Sequence, residues 1–306
     1  MKKETIGVRI IKDFRKNKQK YLIILPVMIY FILFEYKPMY GVIIAFKRYT
    51  PILGIADSPW VGFNNFVRFF KDIYFFRVVK NTLTISFLSL VFSFPMPIFL
   101  AILLNEVKNI RFKKTVQTIT YMPHFIAMVI VCGMITSFCR TDGMINDVIA
   151  FFGGTRTSLL LKKQYFYPIY VISDIWKNIG WNSIIFLAAL SGIDQEQYEA
   201  AKVDGAGRIR QIVYITLPGL LPTVSILLIL RMGRVLSVGY EKVLLLYQPV
   251  TYEVADVIST YTYRKGLIDA DFSYSTAIGM FNSIVNIIIL TIANKISKKA
   301  GQSGLY

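Results

Sequence analysis

EAAKVDGAGRIRQIVYITLP, residues 199–218, lies between two long apolar stretches of a 306-residue chain. Read locally, it is a helix, a turn and a second helix. Glu199, Ala200 and Ala201 open a run of good helix formers. Asp204 and Gly205 end that run, because a short polar side chain bonds its own backbone and glycine accepts a positive φ. The second run sets Ile209, Ile212, Val213 and, less regularly, Ile215 along one stripe, with Arg208, Arg210 and Gln211 off it, and closes on Leu217 and Pro218. Such a unit fits a groove on a partner protein; the plainer alternative is an ordinary amphipathic loop.

The flanking sequence sets the context. Apolar residues make up 55% of the chain and the mean hydropathy is +0.51, too apolar for an ordinary soluble domain and consistent with a polytopic membrane protein. Stretches of about 20 mainly apolar residues predict an all-α fold with six transmembrane helices, at residues 21–45, 80–104, 115–139, 167–191, 217–241 and 273–294. Glu35, Lys37 and Pro38 interrupt the first near its outer end. No stretch alternates with the period of a barrel strand, so helices must satisfy the backbone in lipid. The expected organisation is a basic segment at 1–20, a six-helix membrane domain at 21–294 that includes the loop 192–218, and a tail at 295–306.

Charge gives the orientation. The first 20 residues hold eight Lys and Arg, and no small-x-small cleavage pattern follows the first span, so that span is expected to stay in the mature protein with its amino terminus in the cytoplasm. The segments expected inside carry 18 Lys and Arg in 67 residues, against 14 in 102 for those expected outside. Six spans return the carboxyl terminus to the cytoplasm and place 199–218 there as well. The net charge of +17 flanks membrane spans and forms no basic domain, which suits anionic lipid headgroups and argues against nucleic acid. Cys132 and Cys139, seven residues apart in the third span, lack partners at metal-ligand spacing and read as small buried apolar residues. Residues 46–80 are rich in aromatic rings, and two readings stand: a segment along the outer interface, or rings packed between helices.

The spacing of Glu-Ala-Ala, a glycine six residues after the glutamate, then Ile and Leu-Pro resembles the cytoplasmic signature of the permease subunits of binding-protein-dependent ABC importers. No GxxxxGK[ST] phosphate-binding loop occurs in the chain, so energy from ATP would come from a separate polypeptide. WVGFNNF (60–66), YMPHFIAMVI (121–130), DIWKNIGWNSIIFLAAL (174–190), GYEKVLLLY (239–247) and ADVISTYTYRKGL (255–267) narrow the resemblance to carbohydrate importers, closest to the LplB-like oligosaccharide permeases. The resemblance implies a type I importer in a prokaryotic cell membrane, with this chain, a second homologous permease, ABC ATPase subunits and an extracellular sugar-binding lipoprotein. It implies that ATP and Mg belong to the ATPase, with no cofactor, metal or catalytic residue on this chain. ATPase docking falls to Glu199, Ala200, Ala201, Asp204, Gly205, Ile215, Leu217 and Pro218. The alternatives are a permease for a non-carbohydrate solute, a secondary transporter, which would show more spans and internal repeats, and a membrane enzyme, for which one His and scattered carboxylates supply no constellation.

Four charged residues, Asp174, Lys177, Arg231 and Arg234, fall within the predicted spans, where ionisable groups face a cavity or a partner. At about 1.5 Å per residue, Lys177 and Arg231 lie roughly 21 Å from the cytoplasmic ends of their spans, and Asp174 and Arg234 roughly 25 Å. Asp174 is therefore expected to pair with an arginine and lock spans four and five. One acid leaves a surplus of positive charge that would suit an anionic sugar, unless Glu241 supplies the missing acid. Trp176, Asn178, Trp181 and Asn182 offer ring faces and amides for sugar, and in maltose-type permeases, which this segment resembles, sugar contacts lie about here, with Asn178 and Trp181 the matching positions. Helix packing by the same indoles is the alternative. His124, after Pro123, reads as a packing residue beside a kink.

Overall fold

The computed structural model describes residues 16–301, 304 and 305. Residues 1–15 of the predicted basic segment, and 302, 303 and 306 of the tail, lie outside the described residues. Within them the chain is helical, with one isolated bridge, between Lys47 and Trp60.

Among the described residues, four helices are long and apolar enough to cross a membrane: α1 (Lys18–Phe46), α3 (Phe75–Glu106), α9 (Arg208–Met232) and α12 (Phe272–Lys299). Between α1 and α3 lies the short amphipathic α2 (Asn64–Lys71). The bent pair α4 (Ile110–Phe125) and α5 (Met128–Phe138), which meet at 99°, has the length and apolarity of a fifth crossing when the two are taken as one span. The remaining expected span forms α7 (Lys163–Ser191), a helix of 29 residues. It is long enough to cross, but Asp174, Lys177, Asn178 and Asn182 keep it below that apolarity. α6 (Met144–Phe151) and α10 (Tyr240–Leu246) precede α7 and follow α9, and α11 (Ile258–Tyr263) leads toward α12.

Two expected spans are corrected. The third, 115–139, is not one helix. Pro123 lacks the N–H that would continue the ladder, the chain tightens to a 3-10 turn over Met122–Phe125, and Ile126 and Ala127 are extended, with ψ of 131° and 142°. The fifth, expected at 217–241, runs instead over Arg208–Met232, so the second helix of the helix-turn-helix is the first part of the span itself. Beyond Met232 the chain turns, with Arg234 N–H on the Arg231 carbonyl at 3.1 Å and Val235 N–H on Met232 at 3.2 Å. Val235, Leu236 and Val238 keep hydropathy high past that turn, which hid it in the sequence.

α7 is the central element, packed on α3, α4 and α9, while α12 packs on the carboxyl end of α1, on α2 and on α9. Apolar attraction alone does not hold helices together in lipid, so close backbone approach at small residues matters. Gly180 of α7 supplies one such point: a Cβ there would lie 2.2 Å from the Thr120 carbonyl oxygen of α4. The half of the bundle nearer the helix-turn-helix is closed by Ala101, Phe186, Leu190 and Leu220. The opposite half holds Cys132 and Cys139, both buried free thiols as expected, with Phe166, Tyr170, Val243 and Leu246.

The packing reading of the aromatic segment holds for Phe69, which is buried among Phe75, Tyr274 and Phe281, with ring centroids at 5.0, 6.3 and 5.4 Å, whereas Trp60, Phe63, Phe70 and Phe76 stay exposed. The tier opposite the helix-turn-helix is also tied by charge. Asp256, fully buried, accepts from both guanidinium NH groups of Arg264 at 3.0 and 2.6 Å and from Arg77 at 3.3 Å.

Candidate functional site

The helix-turn-helix is built from α8 (Gln195–Val203), a turn and the start of α9. The Asp194 side chain caps α8 by accepting from the Glu196 N–H at 3.0 Å. At the other end Gly205 has φ of +75°, its N–H reaches the Lys202 carbonyl at 3.0 Å, and Ala206 N–H reaches Ala201 at 2.8 Å. These two bonds close a left-handed helix stop that only glycine enters without strain. Gln211 Nε2 donates to the Ala206 carbonyl at 2.8 Å, and the Tyr198 and Thr216 hydroxyls meet at 3.0 Å, so the two helices are braced across the turn.

Glu199, Ala200, Asp204, Gly205, Leu217 and Pro218 are exposed there, and Ala201 and Ile215 half-buried. The apolar stripe of the second run packs inward only in part: Ile212 and Ile215 are half-buried, whereas Ile209 and Val213 are exposed, as are Val203 and Tyr214. The unit therefore presents an acid, small residues and uncovered apolar side chains on one loop, the composition of a contact surface.

The second feature is an open cavity of about 810 Å³ between α3, α7 and α9. Asp174, Asn178, Trp181 and Asn182 line it from α7, Leu227, Leu230 and Arg231 from α9, Arg234 from the turn after α9, and Ser93, Phe94 and Pro97 from α3. At about 100° per residue, positions 174, 178, 181, 182 and 185 share one face of a helix. Trp176, roughly 200° round from Asp174, is exposed on another side of α7, outside the cavity. Lys177 is also outside it: it is 8% exposed and donates to the backbone at the α4–α5 break. Depth along the helix placed all four charges at one level; rotation about the axis separates them.

The expected pair of Asp174 with an arginine does not form. Asp174 accepts from Asn178 Nδ2 at 3.0 Å, and among the described residues neither Arg231 nor Arg234 takes part in any ion pair. Glu241 makes none either. Arg231 sits in the last turn of α9 and Arg234 beyond it, and both are exposed to the cavity.

His124 packs beside the break after Pro123, as expected, and its partners lie at the cavity wall: its ring stacks on Trp181, with centroids at 4.6 Å and planes 2° apart, and its Nδ1 lies 3.2 Å from Asn178 Oδ1. No spacing in the sequence joins these positions, and one cavity residue was hidden altogether. Ser93 is nine-tenths buried, its hydroxyl has no partner, and it lines the cavity. It belongs to a π-turn over Ser89–Ser93, closed by an i to i+5 bond from Phe94 N–H to the Ser89 carbonyl at 3.0 Å, just ahead of Pro95. Such an inserted residue commonly marks a functional position, and Pro95 and Pro97 after an apolar run were its visible signal.

Residues 73–301 match the family model of the binding-protein-dependent transport system inner membrane component. The polygalacturonan/rhamnogalacturonan transport system permease protein YteP of Bacillus subtilis is 47% identical over 292 residues, covering 95% of this chain and 91% of that protein. Protein LplB of the same organism is 45% identical over 301 residues, covering 98% and 95%. A chain in the crystal structure of a bacterial alginate ABC transporter, in complex with an alginate pentasaccharide-bound periplasmic protein, superposes with a TM-score of 0.90 at 45% identity, covering 97% of this chain and all of that one.

Proposed function

The chain belongs to the family of binding-protein-dependent transport system inner membrane components, and we propose that it carries acidic, uronate-containing oligosaccharides through the cavity between α3, α7 and α9. It is a membrane permease subunit of an ATP-driven ABC importer for oligosaccharides or polysaccharide fragments, and a separate subunit hydrolyses ATP.

The observation that carries the acidic cargo is the pair of arginines, Arg231 and Arg234, facing the cavity with no carboxylate partner among the described residues. A planar guanidinium matches a carboxylate with two parallel hydrogen bonds. Trp181 supplies a ring face for a sugar, and Asn182 and the unpartnered Ser93 hydroxyl supply bonds for its hydroxyls. Two relatives are named for polymers of sugar acids, polygalacturonan and alginate, the latter described as an acidic polysaccharide. Relatives at lower identity are named for arabinooligosaccharides, so the charge of the cargo rests on the cavity and not on the family. In the assembled transporter, Arg231→Gln and Arg234→Gln are expected each to raise the KM for oligogalacturonate uptake while leaving neutral oligosaccharides unchanged. A hydrogen bond to a charged group is worth about 1.5–3 kcal/mol, so the rise is about 10- to 150-fold. An equal effect on both cargoes removes the acidic reading.

The remaining machinery follows the same reading. Glu199, Ala200, Ala201, Asp204, Gly205, Ile215, Leu217 and Pro218 form the seat for an ATPase that carries ATP and Mg, with both chain termini in the cytoplasm. The second permease is a different homologous chain, and an external sugar-binding lipoprotein delivers the cargo. Because Arg208–Met232 is one helix, a push on the turn at Gly205 moves the α9 wall of the cavity directly. ATP shifts the transporter only if its closed ATPase fits one arrangement of the bundle better than the other. Gly205→Pro, which cannot adopt φ of +75°, is expected to abolish uptake and co-purification of the ATPase while membrane insertion persists; normal uptake removes the docking assignment.

A further inference from the structure

The break between α4 and α5 interrupts the helical ladder: the Pro123 carbonyl keeps a backbone partner, the Ile126 N–H at 3.2 Å, whereas those of His124 and Ile126 have none among the described backbone bonds, a costly arrangement in a membrane segment unless a side chain satisfies them. Lys177 does so. Its ammonium donates to the carbonyls of Pro123 at 3.2 Å, His124 at 3.1 Å and Ile126 at 2.5 Å. A lysine has three donors, so none is left for a ligand. A positive charge also suits this place, the carboxyl end of a helix.

The residue whose carbonyl Lys177 holds is also the one whose ring reaches the cavity wall. His124 stacks on Trp181 and meets Asn178. Asn178 Nδ2 is committed to Asp174, so its Oδ1 must accept, and Nδ1 of His124 must carry the hydrogen. Phe125, next in the chain, meets Trp181 edge-on at 5.3 Å. The broken span thus touches one side of the Trp181 indole with two consecutive rings, and Gly180, against Thr120, sets how close it comes.

We propose that Lys177 is a positioning residue for saccharide recognition: by capping the α4–α5 break it holds His124 so that Trp181 and Asn178 present one fixed face to the sugar. The proposal rests on the cavity being the sugar pathway. Lys177 then acts one step behind the cavity and touches no cargo.

The test uses the complete transporter with its binding protein in proteoliposomes, reading oligogalacturonate KM and kcat for Trp181→Ala, His124→Ala, Lys177→Met, Lys177→Arg and the Lys177→Met/His124→Ala double variant. Trp181→Ala, His124→Ala and Lys177→Met are each expected to raise KM about tenfold, the scale of one lost aromatic contact, and Lys177→Arg less. The double variant is expected to match the worse single one, because both act on the same platform. A second readout is emission from Trp181 alone, with Trp60 and Trp176 replaced by Phe, which Lys177→Met is expected to shift to the red. Should Lys177→Met fail to assemble, Lys177→Gln, whose shorter side chain has two N–H donors for three carbonyls and no charge, carries the test with the same expected rise in KM. If Trp181→Ala leaves KM unchanged, the pathway reading falls. If Trp181→Ala raises KM while Lys177→Met and His124→Ala do not, or if their effects multiply in the double variant, the pathway stands and the positioning role is overturned.

Discussion

The Asp256 tier, opposite the helix-turn-helix, and the cavity use the same residue types to opposite ends. In that tier Asp256 is fully buried and is shared by Arg264 and Arg77, with Thr260 donating to it at 2.9 Å. Asp72 accepts from Tyr261 at 2.5 Å and from Tyr274 at 2.6 Å. In the cavity, one acid is committed to an asparagine and two arginines have no acid partner among the described residues. Charges that close on each other hold a structure together, whereas charges left open at a cavity wall are available to a cargo.

The strongest way to break the comparison is to remove the buried acid. Asp256→Ala leaves two arginines around an empty buried position and is expected to cost about 3–5 kcal/mol, seen as a large fall in the thermal midpoint of the detergent-solubilised protein. The Arg231→Gln/Arg234→Gln double variant is expected to leave that midpoint unchanged, since neither arginine pairs within the chain. A matching loss of stability in both would show that the cavity arginines are structural after all.

A smaller effect sharpens the contrast through pH. Burial pushes the Asp72 carboxyl up, but the hydrogen bonds from Tyr261, Tyr274 and the Tyr74 N–H together outweigh it and hold the carboxyl below its ordinary range. A lowered carboxylate pKa contributes stability that is present above about pH 4 and lost as pH falls through the lowered value. The wild-type thermal midpoint is therefore expected to drop on acidification below about pH 4. Asp72→Asn is expected to start lower at neutral pH and to change less over that interval.

The helix-turn-helix was legible in the sequence because its determinants are local. Asp204 and Gly205 stop a helix wherever they occur in this order, and the structure gives Gly205 the φ of +75° that the turn needs. Membrane-spanning character was legible for a similar reason, since apolar runs report burial in lipid without any knowledge of neighbours. The cavity was only half legible. Residue types and depth group Asp174, Asn178, Trp181, Asn182, Arg231 and Arg234, which line one cavity, but depth carries no information about rotation, so the same grouping takes in Lys177 and Trp176, which lie outside it. Pairing of Asp174 with arginine failed on the same ground, since Asn178, one turn away on its own helix, satisfies it first. The break after Pro123 was hidden because Ile126 and Ala127 are as apolar as a continuous span requires. With the break hidden, the contact of His124 with Trp181 could not be seen.

Cargo charge is the claim on which the cavity account depends. The direct measurement is uptake of an oligogalacturonate and of its carboxyl-reduced, neutral counterpart by wild-type and Arg231→Gln/Arg234→Gln transporters, supplied with the same binding protein so that its own preference cancels between the two. Wild-type transporter is expected to prefer the acid in kcat/KM, and the double variant to lose that preference by about 10-fold or more. An acid preference of the same size in both would contradict the account.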